Sequence, residues 1–244
     1  MGKFLIMKNI SKIKIHPLFY IVSFITIITG YFRDFSYIMI IILVHELGHI
    51  LMALYFKWNI DKIVILPFGG ITIFNEKLNR PLIQELLIAL SGPFIQLLFF
   101  SFNSNSLILK YHYFLLVFNL LPIVPLDGSK IFNILLNYIF PFKLSHILTL
   151  ILSFLLVIFL MFIKFNLILV LIFIFLIIKI IEEYLNHKNI FNKFLMERYL
   201  YKFNFKKRKI IKKEETMFRD YKHLFYIKNK YQTESEILQK RFDI

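Results

Sequence analysis

Runs of Leu, Ile, Phe and Val, each about as long as a bilayer is thick, alternate with short polar stretches through the first three-quarters of the chain. A spanning helix needs roughly 20 mostly apolar residues, and on that ruler six segments emerge, near 17–33, 35–56, 81–102, 112–136, 146–163 and 165–184. The pattern predicts an all-α polytopic membrane protein with six transmembrane helices. Lys3, Lys8, Lys12 and Lys14 ahead of the first run look like the charged end of a signal peptide, but no small-residue cleavage site follows, so the run is expected to stay as a first helix. Pro122 and Pro125 interrupt the fourth run and predict a broken helix. Between the second and third runs, β-branched stretches flank Pro67-Phe68-Gly69-Gly70, the signal of a short membrane-associated β-hairpin. The fifth and sixth runs, around Lys164, are nearly uniform and read as lipid-facing scaffold.

Composition supports lipid as the solvent. Hydrophobic residues make up 58% of the 244, charged residues only 18%, and the mean hydropathy is +0.68, a balance that leaves too little polar surface to coat a soluble globule. Cysteine is absent, which excludes disulfides, thiolate metal sites and cysteine nucleophiles. The net charge of +15 lies mostly at one end: residues 184–244 carry 16 basic and 7 acidic groups, against 14 and 8 in the rest. A basic segment after hydrophobic spans fits attachment to an anionic lipid bilayer, and no nucleic-acid partner is expected. Lys57, Lys62, Lys77 and Arg80 in the 57–80 connection outweigh Arg33, Lys110 and Lys164 on the other side, so both termini are expected to face the cytoplasm.

Ionisable groups at bilayer depth are costly and need a partner or a use. The main ones are His45, Glu46, His49, Glu85, Asp127 and Lys130, and three of them fall within five residues, His45-Glu46-Leu-Gly-His49. This is H-E-x-x-H on a helix: two imidazoles one turn apart can reach one ion, beside a carboxylate able to take a proton from bound water. Two histidines leave a catalytic zinc short of a ligand, usually supplied by a carboxylate or a third imidazole. Glu85 is more simply a snorkelling or capping group near an interface. Asp127 sits in Asn119-Leu-Leu-Pro-Ile-Val-Pro-Leu-Asp127-Gly128, the broken stretch, where unwound backbone implies a hydrated cavity. At 1.5 Å rise per residue, His45 and His49 lie roughly 15–21 Å from the outer face and Asp127 roughly 22 Å, so the three can share a level.

These two motifs together resemble the site-2 proteases, peptidase family M50, zinc metalloproteases that cut within membranes, and most nearly the six-span stage IV sporulation protein FB group. The resemblance covers residues 1 to about 200. It implies that His45, His49 and Asp127 bind zinc, that Glu46 is the general base and that Asn119 positions substrate or stabilises the intermediate. Lys130 is a second candidate for that last role, or sits at the lipid interface. It further implies a membrane-associated protein substrate cut near the cytoplasmic side, in the closer group a sporulation sigma-factor precursor. Inhibitory or regulatory membrane proteins are further candidate partners.

Gly69 and Gly70 are candidate substrate-binding positions, because an edge strand dipping into the membrane could pair with an unwound substrate; a hairpin with packing duties alone is the alternative. Ser91-Gly92-Pro93 brings a serine intramembrane protease to mind, but position 89 is Ala where G-x-S-G needs Gly, so a kink and a close helix contact are expected. Residues 1–186 are read as the protease domain and 187–244 as a basic cytoplasmic tail, too short for a pair of CBS motifs. A metal or small-solute transporter using the same ligands is the rival function, disfavoured by Glu46 and by the lack of an internal repeat.

Overall fold

The computed structural model describes residues 13–66, 69–74, 77–163, 167–201, 203, 205–227 and 229–243. Lys3, Lys8, Lys12, Lys164 and the hairpin tip Pro67-Phe68 lie outside them. Helices dominate, and the chain divides into two units, one built from residues up to 76 and 87–120, the other from 77–86 and 121–244.

The first unit begins with β1 (Ile13–Ile15) and α1 (Pro17–Ile28), then α2 (Phe32–Tyr55). At 24 residues α2 is about 36 Å long, enough to cross a bilayer. It ends in a six-to-one cap: Lys57 takes φ 56°, Trp58 N–H donates to Ala53 O at 2.8 Å and Lys57 N–H to Leu54 O at 3.0 Å. Trp58 then packs with Ala53 and Ile88. β2 (Ile60–Leu66) and β3 (Gly69–Phe74) form the expected antiparallel hairpin, with Leu66 opposite Gly69 and Ile65 opposite Gly70. β1 adds a parallel third strand against β2, leaving β3 at an edge. The unit closes with α3 (Leu82–Phe100), which begins in the other unit and runs through Pro93, and with α4 (Ser106–Asn119), whose Asn105 side chain accepts from Leu107 N–H and Ile108 N–H.

The second unit starts at the break. After α4 the backbone leaves helical geometry until α5 (Asp127–Ile139), as the prolines predict. Non-helical backbone in an apolar setting needs internal partners, and Ser153 of α6 (Phe142–Ile163) supplies them. Its hydroxyl accepts from Val124 N–H at 3.1 Å and lies 3.1 Å from Pro122 O. Ser145, Thr149 and Ser153 form a buried polar row at four-residue spacing on this otherwise apolar helix.

α7 (Leu167–Leu200) runs 34 residues, past its apolar part and straight into the C-terminal segment. There β4 (Lys207–Ile211) pairs in parallel with β5 (Tyr221–Ile227), β5 pairs antiparallel with β6 (Lys230–Thr233), and α8 (Glu234–Phe242) follows, started by the Thr233 side chain accepting from Glu236 N–H. The basic tail therefore folds, around Phe194, Leu195, Met217, Phe225 and Leu238, all fully buried. Arg198 anchors it. Its five N–H donors meet five acceptors: Asn79 Oδ1, Glu234 Oε1 and the carbonyls of Tyr221, Phe218 and Arg219. The guanidinium also stacks between Phe194 and Phe205, 4.8 and 4.7 Å from the ring centres. Glu85 is neither a cap nor a snorkelling group: it pairs with buried Arg219 at 2.5 Å.

Among the described residues three helices are long and apolar enough to cross a membrane: α2, α3 and residues Phe142–Phe162 of α6. The apolar stretch of α1, Phe19–Ile28, is shorter. Tyr20, Ile21, Phe24, Ile25, Ile27 and Ile28 on α1 are nonetheless exposed, a surface suited to lipid.

Two predictions follow from the packing of the second unit. Ser153→Ala removes the partner of Val124 N–H and should cost about 1–3 kcal/mol, read by thermal unfolding of the detergent-solubilised protein; Thr149→Val, whose hydroxyl bonds only back to Ser145 O, should cost less. The second concerns acid. Burial holds His223 below its ordinary 6.5, against the opposing hydrogen bond from Glu234. Burial pushes the Glu234 carboxyl up, but the His223 hydrogen bond and the Arg198 charge win and hold it below the usual carboxylate value. In both cases the unfolded chain binds more protons than the folded one. Stability is full above pH 6.5, falls below it as His223 of the unfolded chain protonates, and falls again below about 4.5 with Glu234, by at most about tenfold per pH unit per group. Exchange protection of the β5 amides, corrected for intrinsic rates, should drop between pH 7.5 and 5.5, and His223→Gln should flatten that drop.

Candidate metal centre

His45, Glu46 and His49 occupy one turn in the middle of α2, exposed by only 3, 8 and 4%. Helical spacing puts the two imidazoles on one face, and their Nε2 atoms approach to 3.1 Å. Ligand atoms of all three residues lie within 4.8 Å of one another, and among the described residues this is the single such group of three.

The neighbouring helix fixes the rings from behind. His49 Nδ1–H donates to Ile88 O at 2.7 Å, and because a carbonyl only accepts, that nitrogen holds the proton and Nε2 of the neutral ring offers a lone pair. His45 Nδ1 meets Gln96 Oε1 at 2.8 Å, and Gln96 Nε2 in turn reaches His112 O at 3.0 Å. Both residues on the far side of the imidazoles come from α3, whose approach to α2 depends on missing side chains. A Cβ on Gly48 would lie 2.4 Å from Ser91 O and 2.9 Å from Gly92 Cα; one on Gly92 would lie 2.3 Å from His49 Nε2. The close helix contact expected of Ser91-Gly92-Pro93 thus forms at the histidines themselves. Ser91 is no nucleophile: its hydroxyl donates to Ile88 O at 2.6 Å.

β3 passes the third member. A Cβ on Gly70 would fall 2.4 Å from Glu46 Cγ, so bare backbone runs against the carboxylate. Gly69 opens the same strand, and Asn119 is the last residue of α4. The structure therefore brings His45, Glu46, His49 and Gly70 together. Asp127 belongs to the second unit, where it is buried as the first residue of α5 with Oδ1 2.9 Å from Lys130 Nζ. Lys130 is thus a carboxylate partner as well as a half-exposed side chain.

The donor set fits a divalent metal ion. Two ligand nitrogens on a tetrahedral zinc, each about 2.0–2.1 Å away, stand roughly 3.3 Å apart, close to the 3.1 Å between His45 and His49. The absent Gly92 side chain makes room for the His49 ring itself, since a Cβ there would lie 2.3 Å from Nε2, 2.5 Å from Cε1 and 2.8 Å from Cδ2. Gln96, Gly48 and Gly92 carry no ionisable group, so a search of the sequence for costly charges passes over them. The usable signal was a lone amide, Gln96, in an apolar run four residues after the Gly92 that touches His49.

Residues 35–103 match the family model for peptidase family M50. The chain is 32% identical over 208 residues to stage IV sporulation protein FB of Bacillus subtilis, covering 78% of this chain and 72% of that protein. It is 31% identical over 118 residues to a zinc metalloprotease of Methanocaldococcus jannaschii, covering 42% of this chain and 34% of the other. The solved structure of a site-2 protease from Methanocaldococcus jannaschii shares its fold, with a TM-score of 0.55 at 23% identity over 70% of this chain and 89% of that one. With its helices apolar enough to cross lipid and its buried His-Glu-His turn, the chain belongs to peptidase family M50, the site-2 proteases, and is a metalloendopeptidase of the membrane.

Proposed function

We propose that the protein is a zinc-dependent intramembrane endopeptidase that cuts a membrane-associated protein near the cytoplasmic side, with a sporulation sigma-factor precursor as substrate. The observation that carries the chemistry is the buried turn in which two imidazole lone pairs and a carboxylate converge. The likeness to stage IV sporulation protein FB over 72% of that protein's length supports the substrate class. In this reading the chain crosses the membrane six times with both termini cytoplasmic, and residues 187–244 form a basic cytoplasmic C-terminal segment.

His45, His49 and Asp127 hold the zinc. A bound zinc supplies a Lewis acid that brings the pKa of water towards neutrality and polarises the scissile carbonyl. Glu46 takes the proton from the attacking water on its carboxylate and delivers it to the departing amide nitrogen. Asn119 donates an amide N–H to the oxygen on which negative charge develops. Lys130, paired with Asp127 Oδ1, orients that carboxylate. The substrate unwinds and adds as an extended strand to the edge of β3, at Gly69 and Gly70, and Gly70 brings that strand against Glu46.

Glu46→Gln removes the base and none of the ligands. It should retain zinc while cleavage of a membrane-anchored sigma-factor precursor falls by about 10²–10⁴-fold; undiminished cleavage would refute the role. If the wild-type protein cuts other membrane-anchored peptides and leaves the precursor intact, the substrate assignment fails alone. Gly92→Ala places a methyl group against His49 Nε2 and should weaken zinc binding by at least about tenfold, measured as metal content after dialysis, with helicity by circular dichroism unchanged.

A further inference from the structure

Gln96 is fully buried in α3, far from any need to solvate itself. The two ends of its amide can be told apart by what they face. His112 O, 3.0 Å away, can only accept, so the atom that meets it is the NH2 group, and the amide oxygen is the one 2.8 Å from His45 Nδ1. An amide oxygen also only accepts. His45 Nδ1 therefore carries the ring hydrogen, and the lone pair of the neutral ring is left on Nε2, the atom that faces His49. The remaining amide hydrogen lies towards His112 Nδ1 at 3.3 Å. A backbone carbonyl on α4 thus decides, through one side chain on α3, which nitrogen of an α2 histidine is open.

The two imidazoles are held unequally. Ile88 gives His49 a main-chain acceptor that no substitution removes, whereas the acceptor for His45 is a side chain. We propose that Gln96 is a positioning residue, which selects the Nδ1–H tautomer and the ring orientation of His45 and so sets the affinity of the centre for its metal. The proposal rests on the assignment of His45 as a ligand. An amide suits the task because it is neutral in an apolar helix and offers an acceptor and a donor at once; no other uncharged, unbranched side chain of that length does. With Leu at 96, the buried Nδ1–H loses its partner. The strain is relieved by moving the hydrogen to Nε2 or by turning the ring, and either change takes the lone pair away from the ion.

The test uses the full-length protein in detergent, with Zn²⁺ and Co²⁺ as probes. Gln96→Leu should raise the Kd for Zn²⁺ by about 10–100-fold in chelator competition and alter the visible d–d spectrum of the Co²⁺-loaded protein, while helicity stays near wild type. Gln96→Glu, which keeps an acceptor for the His45 Nδ1–H at the same chain length, should restore affinity and spectrum towards wild type. His112→Leu keeps the backbone carbonyl and should weaken binding less than Gln96→Leu does. Wild-type affinity and spectrum in Gln96→Leu would overturn the proposal, as would an effect of His112→Leu larger than that of Gln96→Leu. A wild-type chain that binds neither ion overturns the ligand assignment itself; binding that is lost in His45→Ala yet untouched in Gln96→Leu overturns only the positioning role.

Discussion

A polar group surrounded by hydrocarbon must find its partner within the protein, because no water stands ready to replace one that is missing. Much of the architecture follows from that constraint. The break before α5 persists because a hydroxyl on α6 meets Val124 N–H and reaches Pro122 O. The histidines of α2 are buried with their Nδ1 atoms committed to an amide and a carbonyl of α3. Asp127 has Lys130 one turn along its helix. Each of these groups would be expensive alone, and each is turned into a fixed direction by the group that satisfies it. Orientation, the main requirement of a metal centre, emerges as a by-product of avoiding unmade hydrogen bonds.

Closeness has a different origin. Three glycines, at positions 48, 70 and 92, let backbone or ring atoms pass where a single methyl group would collide. Gly48 brings α3 near enough for its carbonyl at 88 and its amide at 96 to reach the α2 rings, and Gly70 lays a strand against the carboxylate. Small residues play this part in membrane helices because lipid gives no hydrophobic push between them, so contact depends on how tightly backbones fit. The same unit holds both the edge strand β3 and Glu46.

Features carried by local pattern were legible in the sequence. The H-E-x-x-H turn, the proline break and the hairpin around Gly69-Gly70 are each encoded within a dozen residues, and each formed where spacing and residue type placed it. What escaped was long-range. Ile13-Lys-Ile15 becomes a strand only because Ile63-Val-Ile65 lies beside it, and nothing in three residues announces that. Ser153 looks like an incidental hydroxyl in a uniform span until a segment 29 residues earlier needs it. The C-terminal sheet was hidden for the same reason: β4 reads Lys-Arg-Lys-Ile-Ile, a charged stretch whose strand character comes from parallel pairing with β5. Gln96 and its partners span three helices, so their purpose exists only after those helices have packed.

The arginine that anchors the C-terminal fold bears on how this sequence can drift. Of its 30 cationic residues only six are arginine, a strong general preference for lysine, yet the two that are buried among the described residues, Arg198 and Arg219, both belong to the minority. At position 198 the reason is arithmetic: lysine would keep the charge but bring three hydrogens to five waiting oxygens and lose the flat face that lies between Phe194 and Phe205. An exchange that substitution tables rate as mild is therefore closed at this position. Whatever pressure fills the rest of the chain with lysine stops where geometry, and not charge, is being selected.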